Sequence, residues 1–171
     1  MILQRVSYQK YLTNGNRKTM NILVNSHRNG EHIVSQELVS DIRDAFSKID
    51  KKVERYEISD IRQDILEDLK SKGWSDKLLL ARGSNISITA KKADIGLCMQ
   101  TGNVSRVYAD LMKLQTLFVN QQITAGIIVV ATRDCAKQYT CNAATYERLL
   151  KELDIFSQVI TMPLVVIGFY N

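Results

Sequence analysis

Ser87-Ile-Thr-Ala-Lys-Lys-Ala-Asp-Ile-Gly-Leu-Cys-Met-Gln-Thr-Gly-Asn103 is where the periodicity of the chain changes. Upstream, apolar residues recur at helical spacing. From Asn85 to Ala90 polar and apolar residues alternate, Lys91-Lys-Ala93 supplies a turn, and Asp94 to Gln100 runs extended again, which predicts a β-hairpin. Within it Thr89 and Cys98 stand nine residues apart, and Gln100 follows two further on. Thr101-Gly-Asn103 breaks the second strand. Val104, Val107, Tyr108, Leu111, Leu114, Leu117 and Phe118 then define a long helix.

Toward the N-terminus, Asn21 to Val24 is a short apolar run, and Asn25 to Gly30 reads as a polar turn. Ser35 is placed to cap a helix carrying Leu38, Val39, Ile42, Ala45, Phe46 and Ile49. Val53 to Ile58 reads as a strand or an irregular crossing. Ser59 is placed to cap a second helix with Ile61, Ile65, Leu66 and Leu69, which Gly73 ends and against which Trp74 packs. Toward the C-terminus come a buried strand from Ile123 to Ala131, a polar loop from Thr132 to Asn142, a helix from Ala143 to about Leu153, and a last buried strand from Met162 to Phe169. This order predicts an α/β fold, a mixed sheet covered by helices.

Composition narrows the class. The 171 residues suffice for one domain with a core and show no repeat, no low-complexity tract and a single Pro. The net charge of +5 suits a polyanionic partner, but 23 basic and 18 acidic residues are interleaved along the chain. Three cysteines and no signal-like apolar region at the N-terminus predict free thiols and a cytoplasmic location. The two longest apolar runs are about half the ~20 residues a membrane helix needs, so no membrane association is expected. Cys135 and Cys141 lack the second pair that a zinc site requires, and no metal ligand is assigned there.

Five fragments occur in an order and at separations that resemble the BglII/BstYI family of type II restriction endonucleases. They are Asn21-Ile-Leu-Val-Asn-Ser-His-Arg-Asn-Gly-Glu31, the helix ending Ser47-Lys-Ile-Asp50, Leu69-Lys-Ser-Lys-Gly-Trp74, Met99-Gln-Thr-Gly-Asn103 with Tyr108-Ala-Asp-Leu111 and Lys113, and Pro163-Leu-Val-Val-Ile-Gly168. The likeness spans Met20 to Phe169. Residues 1–19 have no counterpart and Met20 matches the usual start, so the expected organisation is an N-terminal extension at 1–19 and a single domain over 20–171.

The resemblance implies a restriction-endonuclease-like core of the PD-(D/E)xK type: a homodimer gripping double-stranded DNA and hydrolysing one phosphodiester per strand with Mg²⁺. In that family the site is an Asp, a Glu nine residues later, and a Gln two beyond the Glu. Carried over residue by residue, the Gln is Gln100, the Glu position is Cys98 and the Asp position is Thr89. Mg²⁺ is a hard cation that takes oxygen ligands, whereas a thiolate suits soft metals and a neutral hydroxyl is a feeble ligand. The expectation is a DNA-binding protein deficient in cleavage, with no cofactor, and with Mg²⁺ only if activity survives.

Two alternatives stand beside it. One is an active endonuclease with relocated acids, using Asp94 with Glu54, Glu57 or Asp60; Asp94 shares a strand face with Cys98 and Gln100 but lies about 13 Å from Cys98 at ~3.3 Å per residue. The other is a protein-interaction module on the same fold. For DNA contact the resemblance points to Asn103 at the corner between strand and helix, where an amide suits adenine. Arg106 and Lys113, two turns apart on that helix, suit phosphate. Arg133, Lys137, Tyr139, Thr140 and Asn142 occupy the loop matching a base-reading loop. Asn103 also reads as a helix cap, and Cys98, between Leu97 and Met99, as a small buried hydrophobe.

Overall fold

A computed structural model describes residues 19–51, 53, 54 and 57–171. The expected extension over 1–19 therefore lies, apart from Thr19, outside the described residues, and so does part of the stretch 53–58. The elements are β1 (Asn21–His27), α1 (Gly30–Ile33), α2 (Gln36–Ser47), α3 (Ile58–Ser71), β2 (Leu78–Leu79), β3 (Ser87–Ile88), β4 (Ala90–Lys92), β5 (Ile95–Met99), α4 (Ser105–Val119), β6 (Ala125–Ala131), α5 (Arg133–Ala136), α6 (Tyr146–Ile155) and β7 (Leu164–Tyr170).

The main sheet has the order β1-β7-β6-β5-β4. Its three inner strands, β7, β6 and β5, are parallel, and antiparallel β1 and β4 flank them. Such an interior needs both faces covered, and the apolar runs supply that: every residue of β6 is buried. Leu97, Met99, Ile127, Val129, Val165, Ile167 and Phe169 face one way, against Leu38, Ile42 and Phe46 of α2 and Ile61, Ile65 and Leu69 of α3. Cys98, Ile128, Val130, Leu164 and Val166 face the other, against Val107, Leu111 and Leu114 of α4 and Leu149 and Leu153 of α6. Phe46 stacks on Phe169 with ring centroids 5.1 Å apart. The expected α/β class is the observed one, a mixed sheet between two helical layers. Among the described residues no helix is long and apolar enough to cross a membrane.

Local chemistry explains both the agreements and the departures. Ser35 caps α2 as expected, its hydroxyl accepting from the Leu38 amide. Helix α3 begins at Ile58 with Glu57 at the cap position, two residues ahead of the cap expected at Ser59. Gly73 at φ 88° ends it, and the Trp74 amide donates back to Leu69. The predicted hairpin is shifted: its turn is Ala93-Asp94, with Ala93 at φ 49°, while Lys91 and Lys92 belong to β4. Those lysines hold the strand through their ammonium groups, Lys91 donating to the Gln122 carbonyl and Lys92 to the Asp41 carboxylate. The first half of the predicted strand, β3, pairs instead with β2. The polar loop after Thr132 contains the short helix α5, capped by the Thr132 hydroxyl. Helix α6 begins three residues later than expected, because Ala143 bridges to Asn103 and Thr145 to Ala131.

Candidate functional site

A cleft of about 800 Å³ opens between α3, α4 and the strands β3 to β5, near the carboxyl end of β5. Its wall includes Arg62, Lys70, Trp74, Lys77, Thr89, Gln100, Gly102, Arg106, Asp110 and Lys113. Trp74 is fixed there because its indole donates to Asp41, the carboxylate that also accepts from Lys92, which joins α2, the end of α3 and β4.

Thr89 sits at a break in the alternation of its strand, since Ile88 packs in the α4 layer and Ala90 in the α2/α3 layer. Its amide donates to the Leu97 carbonyl at 3.0 Å, and its hydroxyl accepts from the Met99 amide at 3.0 Å, so the two bonds bracket Cys98 on the neighbouring strand. Cys98 is 1% exposed among Ile88, Val107, Leu111 and Leu114. Burial pushes its thiol well above the usual range, the Asp110 carboxylate pushes the same way, and a bond with Thr89 and the charges of Lys113 and Arg62 oppose them. The thiol is neutral at physiological pH and poorly suited to act as a nucleophile or metal ligand.

Gln100 ends the parallel ladder by donating its amide to Val129. Its side chain is fully engaged: Nε2 donates to Asp110 Oδ2 at 2.9 Å, and Oε1 accepts from the Gly102 amide at 2.9 Å. Asp110 is only 7% exposed, and its second oxygen accepts from Lys113 at 2.8 Å. Two buried-side oxygens with a cation and an amide on them form a satisfied network rather than an isolated charge.

Asn103, Arg106 and Asn142 lie at the corner between β5 and α4, and Lys113 lies two turns further along α4 on the cleft wall. The Val104 amide donates to the Asn142 carbonyl, and Asn103 pairs with Ala143. Asn103 Oδ1 accepts from both the amide and the hydroxyl of Ser105, so the side chain turns the chain into the helix. Thr140 Oγ1 accepts from the Asn142 amide. Arg133 and Lys137 are exposed on and just beyond α5, where Lys137 pairs with Asp134. Tyr139 corrects the expectation for this loop: it is 5% exposed in the core, so its ring is withdrawn from any base, and burial followed by the neighbouring Cys135 raises its hydroxyl pKa. Asp94 lies in the hairpin turn at the far end of β5, 71% exposed and 3.4 Å from Lys91, outside the cleft. Glu54, Glu57 and Asp60 do not line the cleft either.

Sequence reading passed over Asp110 and Arg62. Asp110 had a signal, an acid on the buried stripe of a helix between Val107 and Leu114. Arg62 had another: with Leu66 and Leu69 it continues one face of α3 at helical spacing, and all three line the cleft.

The family model for the restriction endonuclease BglII/BglIII matches residues 22–169. The chain belongs to the BglII restriction endonuclease family. Two solved structures share the fold. One, described as restriction endonuclease BglII complexed with a DNA 16-mer, superposes with a TM-score of 0.74 at 13% identity, covering 88% of this chain and 78% of that one. Free BglII superposes with a TM-score of 0.64 at 14% identity, covering 88% and 80%. No curated protein matches the chain. At such identities the BglII structures establish the fold, while the chemistry rests on the residues of this chain.

The three free thiols of this BglII-family chain differ in accessibility. Cys98 and Cys135 are buried, the Cys135 thiol being pushed up to about 12 by burial, and Cys141 is exposed. A disulfide reagent at neutral pH is expected to modify one thiol rapidly in the folded protein and the other two only after denaturation. Rapid reaction of a second thiol would contradict the buried position of Cys98.

Proposed function

We propose that this chain binds duplex DNA through the cleft and the β5–α4 corner and does not carry out Mg²⁺-dependent phosphodiester cleavage. The observation that carries the reading is the pair Thr89 and Cys98, onto which the resemblance carries the family's acid positions: a hydroxyl already bonded to the Met99 amide beside a buried, neutral thiol. Enzymes of the family typically depend on Mg²⁺. The donor set in the cleft does not fit that ion. Its two carboxylates are both ion-paired, Asp76 with Lys70 and Asp110 with Lys113. Among the described residues no group of three or more His, Cys, Asp or Glu side chains gathers to hold a metal. What the cleft keeps is positive charge: Arg62, Lys70, Lys77, Arg106 and Lys113 against those two acids. Basic residues around a groove suit a phosphate backbone, and BglII itself has been crystallised on DNA.

A second reading, cleavage by relocated acids, is favoured by one observation: Asp110 is a nearly buried carboxylate bonded to Gln100. Asp94 gives it less support from its place in the turn. A homodimer, as in the resembling enzymes, is part of the proposal, and Met112, Val119, Ile155, Phe156 and Val159 leave apolar surface exposed for it.

The test incubates purified protein with random-sequence duplex DNA in Mg²⁺ and in Mn²⁺ and reads cleavage and retained complex from one gel. The expected outcome is a shifted, uncut duplex carrying two chains. Cutting abolished by Asp110→Asn would establish the relocated-acid reading, and neither cutting nor a shift would leave a protein-interaction role.

A further inference from the structure

The guanidinium of Arg62 is set on α3 at the wall of the cleft, half-buried, and makes no hydrogen bond or ion pair with the described residues. A guanidinium removed from water without a partner is costly, since buried charges are ordinarily paired. Burial lowers its pKa and the Asp110 carboxylate, which lines the same cleft, opposes the shift. Asp110 makes no ion pair with it, and its two oxygens accept from Lys113 at 2.8 Å and from Gln100 at 2.9 Å. The cleft wall thus holds an uncommitted planar fork on α3 and, on α4, an ammonium fixed in place.

That pair has the chemistry to bind an oxyanion. Arginine presents parallel N–H donors that match two phosphate oxygens, and Lys113, held by Asp110, adds a point charge without having to be ordered on binding. The rest of the cleft fits a chain of phosphates better than a single small anion. Among the described residues Arg106 and Lys77 also line it with no acidic partner, Arg106 beside Gly102.

We infer that Arg62, together with the Lys113–Asp110 pair, forms a phosphate-binding site that engages a backbone phosphodiester of duplex DNA directly, with no divalent cation between protein and phosphate. The inference rests on the duplex-binding reading above and specifies the contact at its centre. In it, fixed side-chain cations take the charge-neutralising part that a metal ion plays in a nuclease. Asp110 serves as a positioning residue, aiming Lys113 and, through Gln100, holding the turn at Gly102.

The experiment measures binding of a random-sequence duplex oligonucleotide across a KCl series, in EDTA and in Mg²⁺. It compares the natural chain with Arg62→Ala, Arg62→Lys, Asp110→Asn and, as a control in the other helical layer, the exposed Lys151→Ala. Duplex affinity is expected to be the same in EDTA as in low Mg²⁺ and to fall at higher Mg²⁺ through competition for phosphate. Arg62→Ala should weaken binding about ten-fold and reduce the salt slope by about 0.9, the share of one neutralised phosphate. Arg62→Lys should keep the slope and recover part of the affinity, and Asp110→Asn, which loosens the hold on Lys113 and Gln100, should weaken binding while leaving the slope unchanged. If Arg62→Ala matches Lys151→Ala in affinity and slope while the natural chain still shifts duplex, the phosphate site is wrong and duplex binding stands. Binding strengthened by Mg²⁺ would also overturn it. If the natural chain binds no duplex at any salt, the duplex-binding reading itself fails.

Discussion

Thr89→Asp combined with Cys98→Glu is expected to convert a chain indifferent to Mg²⁺ into one that Mg²⁺ stabilises and that nicks duplex DNA. The two positions are cross-strand neighbours, since the Thr89 amide and hydroxyl bond to the residues on either side of Cys98. The carboxylate at 89 would stand on the cleft wall and the one at 98 on the facing strand just behind it, beside the Met99–Gln100 backbone, giving the hard oxygen donors that Mg²⁺ prefers. Without metal the change is unfavourable. Cys98 is 1% exposed, so a glutamate at this position places a carboxylate in the core beside Asp110, at a cost on the order of 3 kcal/mol. Binding only the folded state, Mg²⁺ at about a hundred times its dissociation constant returns about 2.7 kcal/mol. For a domain of this size that is a rise of roughly 5–10 °C in Tm. Thermal unfolding with and without Mg²⁺ reads this directly, and the neutral pair Thr89→Asn with Cys98→Gln should show no rise. A double-acid variant whose Tm ignores Mg²⁺ would mean that these positions do not have the geometry of a metal site, whatever their place in the sequence.

The frame of the molecule was legible because periodicity reports burial. The fully apolar runs around Val129 and Val166 could only be inner strands, and the helical stripe from Leu38 to Ile49 could only cover a sheet. The hairpin turn was misplaced by two residues because Lys91 and Lys92 look like turn residues in a one-dimensional reading. Their partners, the Gln122 carbonyl and the Asp41 carboxylate, lie far along the chain and make an extended conformation favourable. Tyr139 failed for the opposite reason: a polar neighbourhood in sequence hid a ring that folds inward. At the site, Thr89, Cys98 and Gln100 could be singled out by spacing against a known pattern. Arg62 could not, because it lies outside every fragment of the resemblance; Asp110 lies inside one, but its bonds to Gln100 and Lys113 appear only where α4 meets the end of β5. Sequence reading raised the expectation that the family's acids are missing from the cleft. Only the packing of the helices identified which groups lie there instead.

Gly30→Ala is expected to be the most destabilising conservative change in the protein. A Cβ on Gly30 would collide with the backbone oxygen of Leu164 and stand 2.5 Å from its carbonyl carbon and 2.7 Å from its nitrogen. Leu164 cannot yield. It begins β7, paired with His27 of β1 on one side and Gly126 of β6 on the other, so moving it breaks the ladder on both sides of β7. Relief has to come from displacing α1, which packs on β1 and β7, or from detaching β1. Overpacking commonly costs 1–3 kcal/mol where side chains can shift; against fixed backbone on both sides the loss should reach roughly 3–5 kcal/mol. Gly73→Ala supplies the contrast. Gly73 has φ 88° and nothing within 4 Å of an added Cβ, so only the left-handed backbone penalty applies, about 1 kcal/mol. Chemical denaturation should therefore shift the midpoint far more for Gly30→Ala than for Gly73→Ala. Equal shifts would show that β1 and α1 move independently of the rest of the sheet. The cleft lies at the opposite edge, on β5 and α4. Gly30→Ala should therefore act on the cleft through global stability alone, and its folded fraction should bind duplex as the natural chain does.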